Sequence, residues 1–171
     1  MRQLRPGRVD GLPLITSGQL AFPSVQQASA DANTLDDYEE GTWTPTIGGS
    51  GGQSGQTYTG QSGQYVKIGQ LVVASFALTL SAKGTITTSV QIQGLPFAAQ
   101  TVTSQFVAQA MYDSLATNWV EVTYKITSGG TVADVWGQAA AGVSNLATKL
   151  AQADLNDNAR FEGVFVYRAA A

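Results

Sequence analysis

With 171 residues, 43 % hydrophobic and only 12 % charged, the chain has the size of one domain and enough apolar content for a core. It holds no cysteine and no histidine, which excludes disulfide and thiol chemistry and removes the commonest general base and metal ligand. The net charge of −3 is unevenly placed: the main body is neutral, no basic face suggests nucleic acid, and no apolar run reaches the length of a membrane span.

Residues 1–35 read as an extended N-terminal arm and residues 36–171 as a β-rich head. The arm carries Pro6, Gly7, Gly11, Pro13, Gly18 and Pro23, spaced so that neither a helix nor a long strand fits. Its start is charged but lacks the apolar stretch of a signal peptide. Arg2, Arg5 and Arg8 give it local positive charge. Leu12, Leu14, Ile15, Leu20 and Phe22 are apolar anchors that the head does not require. Together these eight residues are the expected attachment set. Arginines facing an acidic partner surface would make docking fast and salt-sensitive.

SADANTLDDYEEG then predicts one helical turn. Thr34 would cap it, Asp36 and Asp37 would sit at its N-terminus, and Gly41 would end it. TWTPTI predicts a strand at a sheet edge because of Pro45, and GGSGGQSGQ (48–56) a flexible loop. Next, Val66, Ile68, Val72, Ala74, Phe76, Leu78 and Leu80 all fall on even positions, a period-2 face. Ile86, Val90 and Ile92 continue the pattern until GLPF ends it. Val102, Phe106, Ala108 and Tyr112 make another face, and Val120, Val122, Tyr124 and Ile126 the next. TSGGT turns that strand into VADVWG as a hairpin. Residues 138–155 admit a short helix or an irregular loop. ARFEGVFVYR closes the chain as a strand, apolar on both faces, which suits a central strand or a subunit contact. The fold class is all-β: a β-sandwich, jelly-roll-like, preceded by the arm.

Chemistry is hard to place on this chain. The acidic run at Asp36, Asp37, Glu39 and Glu40 fails a calcium-loop pattern in the registers that start at Asp31 and at Asp36, because Leu35 in the first and Tyr38 in the second occupy ligand positions. A solvated, helix-capping connector is the expectation there. Asp113, Glu121, Asp134, Asp154, Asp157 and Glu162 are too scattered to suggest a glycosidase pair. No G-x-S-x-G accompanies a base. The chain is therefore expected to have no catalytic residues, no metal and no cofactor. Trp43, Trp119 and Trp136 lie in or beside strands, so core or interface roles outweigh sugar stacking.

SADANTLDDYEEGTWTPT, then TYTGQSGQYVKIGQLV, GLPF and a closing aromatic strand ending in YR resemble a family of tailed-bacteriophage virion proteins. In that family this block forms the C-terminal module of tail fibres, or small stand-alone fibre and decoration proteins. The similarity covers residues 18–97 and, more loosely, 158–168. It implies an all-β module on the phage particle surface, usually a homotrimer, and supplies no catalytic residues. Phe161, Val164, Phe165, Val166 and Tyr167 are the expected subunit interface. An arm of about 17 residues before the block spans at most about 55–60 Å, which favours a capsid decoration protein or short head fibre. A tail-fibre tip that binds a host surface glycan is the alternative, and exposed aromatics at the far end of the head would distinguish it.

Overall fold

The computed structural model describes residues 14–16, 19–22, 31, 34–35, 37–102, 106–139 and 147–170. Within them the alternating segments form strands, one turn of 3-10 helix (Gln152–Asp154) and no α-helix. In chain order the strands are β1 (Leu14–Thr16), β2 (Gln19–Ala21), β3 (Tyr38–Thr42), β4 (Thr46–Gly49), β5 (Gly52–Ser54), β6 (Thr57–Ile68), β7 (Leu71–Ala82) and β8 (Thr85–Thr87). They continue as β9 (Val90–Gln93), β10 (Val107–Gln109), β11 (Met111–Leu115), β12 (Glu121–Ile126), β13 (Val132–Gln138), β14 (Thr148–Lys149) and β15 (Leu155–Arg168).

Two antiparallel sheets face each other. One has the order β11-β15-β7-β6-β3, the other β10-β12-β13-β9-β4, with β14 on β13. The chain passes between them at Ala110, so β10 and β11 belong to different sheets. Their inner faces make a single apolar core, and the protein is an all-β sandwich. From the first sheet come Val72, Ala74, Phe76, Leu78, Leu80, Phe161, Phe165 and Tyr167. From the second come Ile47, Val90, Ile92, Val122, Tyr124, Ile126, Ala133 and Val135. At its centre the rings of Phe76 and Phe165 stack 5.1 Å apart, and Tyr124 meets both edge-on.

The expected even-numbered face holds from Val72 to Leu80 and breaks before it. Gly69 and Gln70 form a two-residue turn that sets Ile68 opposite Leu71. Partners across a hairpin share a face, so the inward positions change from odd on β6 to even on β7. Val66 and Ile68 therefore point outward, and Lys67 points in. GGSGGQSGQ is likewise not a free loop. Gly48 and Gly49 are buried in β4, and Gly52–Ser54 pairs with β8. A Cβ on Gly49 would collide with the Thr87 carbonyl, so glycine here admits close backbone packing. The region read as helix or loop contains β14 and the 3-10 turn; residues 140–146 lie outside the described set.

The Tyr167 hydroxyl donates to Phe97 O at 2.9 Å. Burial pushes this phenol up to about 12, partly offset by the Phe97 N–H, which donates to the phenol oxygen at 3.3 Å. An unfolded tyrosine ionises near 10, so the buried neutral form contributes stability that is complete below pH 10. That contribution disappears as pH climbs towards 12. The urea midpoint is expected to fall across this window, and to fall less in Tyr167→Phe. Equal slopes would show that other groups govern the alkaline loss.

Candidate functional site: an exposed sheet face and the junction with the arm

The outward side of the five-stranded sheet carries most of the large apolar residues that the described head leaves in water. Strand register places them in rows. Tyr38, Ile68 and Leu71 lie side by side, ending at Arg168. Glu40, Val66, Val73 and Val166 form the next row, and Thr42, Gln64, Ser75 and Val164 the third. Ile68, Leu71, Val73, Val164 and Val166 are each 40–53 % exposed. β-Branched and aliphatic side chains suit a sheet, but a contiguous apolar block facing solvent marks a contact surface. Charge rims the patch: the Tyr38 hydroxyl donates to Glu40, and Arg168 bonds Gln70.

The five residues expected at a subunit interface divide. Phe161, Phe165 and Tyr167 point into the core and are fully buried there, so they cannot meet another chain. Val164 and Val166 alternate with them and stand in the exposed patch. Of the arm residues, Arg2, Arg5, Arg8 and Leu12 lie outside the described set. Leu14 and Ile15 in β1 pair with Ala21 and Leu20 in β2, so this part of the arm is a short hairpin. The Phe22 ring is half-buried, its centroid 6.2 Å from that of Tyr38 in the first row of the patch.

Between arm and head, the described part of the acidic run leads into a strand and not a helical turn; Asp36 lies outside the described residues. Residues Tyr38–Thr42 pair with β6, which supplies backbone partners that a lone turn lacks. Glu40 faces out with Tyr38, whereas Glu39 stands directly opposite Lys67. Asp37 is 1 % exposed, Lys67 is 4 % exposed, and the two side chains form a direct ion pair. The Glu39 carboxylate lies 3.7 Å from the same ammonium. The Lys67 Nζ also sits 5.2 Å from the centre of the Phe97 ring, and that ring meets Tyr65 edge-on. The Gly69 N–H donates to Asp37 O at 2.8 Å and fixes the backbone beside the pair. The expected solvated connector is thus a buried clasp. Sequence reasoning missed it because its cation lies thirty residues away and because an even-numbered inward face reads Lys67 as outward.

Of the remaining carboxylates, Asp113 and Glu162 line one small surface pocket with Arg160. Asp134 pairs with Lys149 at 2.7 Å, Glu162 pairs with Arg160, Asp154 accepts from Thr117, and Asp157 accepts from the Lys83 N–H. Trp43 is in the core, its indole donating to Ser75 O at 3.0 Å. Trp119 packs on Gly137, and Trp136 lies between the Lys125 and Lys149 ammonium groups. The end of the sandwich opposite Tyr38 is built from residues 50–57, 82–89, 115–120 and 150–157. Glycine, serine, threonine and glutamine make up most of the first two segments; beside them Tyr58 turns inward to the Ile47 backbone, Trp119 is half-buried against Gly137, and Val120 is exposed.

Comparison of the chain with protein-family models, with curated proteins and with solved structures gives no match.

Proposed function

We propose that the protein is a structural component of a phage particle, a capsid-surface decoration protein or short head fibre. In this reading the arm and the adjoining sheet face hold it to the shell and to sister subunits. The sequence block that resembles phage virion proteins supports the reading. The observation that carries it is where exposed apolar groups lie: beside the arm, with a polar Gly/Ser/Thr-rich surface at the opposite end. A glycan-binding tip would present exposed aromatic rings at that far end, where Tyr58 is turned inward and Trp119 is half-buried against Gly137.

Attachment is tested with particles stripped of the protein and offered either the full chain or a form lacking residues 1–30. Folded truncated protein that no longer decorates the particle identifies the arm as anchor. Equal binding by both forms assigns attachment to the head.

Assembly is tested separately. The chain is expected to sediment as a homotrimer, three times its 17.8 kDa, with Val164 and Val166 at the contact. Val166→Lys is expected to yield folded monomer by placing an unpaired charge in an apolar interface. Wild-type protein sedimenting as a monomer at micromolar concentration would remove the trimer from the proposal.

A further inference from the structure

Lys67, Asp37 and Glu39 form more than an ion pair. A primary amine and a carboxylate are held against each other in a nearly water-free site, a second carboxylate borders the amine, and an aromatic ring lies over it. Backbone pairing fixes all three. Lys67 and Glu39 are register partners across β3 and β6, and Asp37 is two residues before Glu39, with its carbonyl bonded to Gly69. Two reactants immobilised in contact react with an effective concentration far beyond any in solution. We infer that Lys67 and Asp37 condense into an intramolecular amide, an isopeptide crosslink between the start of β3 and the end of β6.

The step balances without a co-reactant. Moving one proton from the Lys67 ammonium to the Asp37 carboxylate gives an amine and a carboxylic acid. The Nζ lone pair attacks Asp37 Cγ, forming the Nζ–Cγ bond and a tetrahedral centre. The hydroxyl on Cγ departs with a proton released from Nζ, so one C–O bond breaks and one water leaves. Glu39, 3.7 Å from Nζ, accepts that proton and passes it to the departing hydroxyl, ending in its original state. Phe97 covers the amine and restricts the water that would reverse the reaction. Glu39 is about two-fifths exposed, which lets the product water escape on its side. The product replaces two buried charges with a neutral amide, removing the desolvation penalty that a buried ion pair carries.

The experiment is an intact-mass measurement on the purified, folded full chain, followed by digestion after denaturation. The expected mass is lower than that of the sequence by one water. Trypsin is expected to leave the bond after Lys67 uncut, giving a Val9–Lys83 fragment that lacks one water. A second cleavage after Glu39 or Glu40 then leaves two peptides still joined, with tandem fragmentation locating the link at Asp37 and Lys67. Lys67→Arg is expected to show the full mass, and Glu39→Gln a slower approach to the crosslinked mass. Unmodified mass in folded wild-type protein overturns the inference whatever the variants do. So does a missing water that persists in Lys67→Arg, or one that maps to Asp10–Gly11 as a cyclic imide. Wild-type conversion in Glu39→Gln overturns the relay role given to that residue. The chemistry is independent of the virion reading, so failure of either leaves the other standing.

Discussion

Truncating Phe76 to alanine is expected to destabilise the protein by about 3–5 kcal/mol, the cost of deleting a large buried aromatic side chain. The ring is 5 % exposed and stands where the sheets meet, stacked on Phe165 and contacting Tyr124 and Trp43. Its neighbours are themselves aromatic, and rings this large do not collapse into a vacated volume, so a cavity remains. A domain of this size is typically stable by about 5–15 kcal/mol. The variant should therefore remain folded in water but unfold at much lower urea concentration. Val73→Ala, three positions away and facing out, is expected to change stability by under about 0.5 kcal/mol in the monomer. Similar losses for both would contradict the inward parity of β7.

The second large effect belongs to the clasp. Lys67→Met leaves the Asp37 carboxylate buried without its cation, and Glu39 beside it. An uncompensated buried charge costs about 3–5 kcal/mol. Adding Asp37→Ala to Lys67→Met removes that charge, so the double variant is expected to exceed the single variant in stability. Asp37→Ala alone should be milder than Lys67→Met, because Glu39 still offers the ammonium a partner. None of these variants can form the crosslink, so their ranking reports on buried charge alone. Urea titrations of all three settle the order; a double variant no more stable than Lys67→Met would mean that the Asp37 carboxylate is solvated in solution.

These two sites also show what a sequence does and does not disclose. The Phe76 stripe was legible, because one strand buried on one face writes its own period of two. The closing strand was legible in the same way: Phe161, Phe165 and Tyr167 separate from Val164 and Val166 by parity alone. Assigning the aromatic half to a subunit contact required knowing which face met the second sheet, and parity does not carry that. Unbroken parity through the Gly69–Gln70 turn puts Val66 and Ile68 inward, but a two-residue hairpin reverses it. Gly48 and Gly49 look like linker residues, since a sequence cannot distinguish glycine chosen for freedom from glycine chosen for thinness. The acidic run has good helix-capping chemistry locally. Cross-strand pairing with β6 and a lysine distant in sequence outweighed it, the usual way in which tertiary contacts override local propensity.

Strand direction carries a practical consequence. The chain reaches the head at Tyr38 and leaves β15 at Arg168, and these residues share the first row of the sheet. A passenger polypeptide fused after Arg168 would therefore emerge beside the arm, crowding whatever the apolar face contacts. The β4–β5 connection at Ser50 and Gly51 is exposed at the other end. For displaying an epitope or an enzyme away from the apolar face, that turn is the insertion point of choice, and the C-terminal side of β15 is the one to avoid.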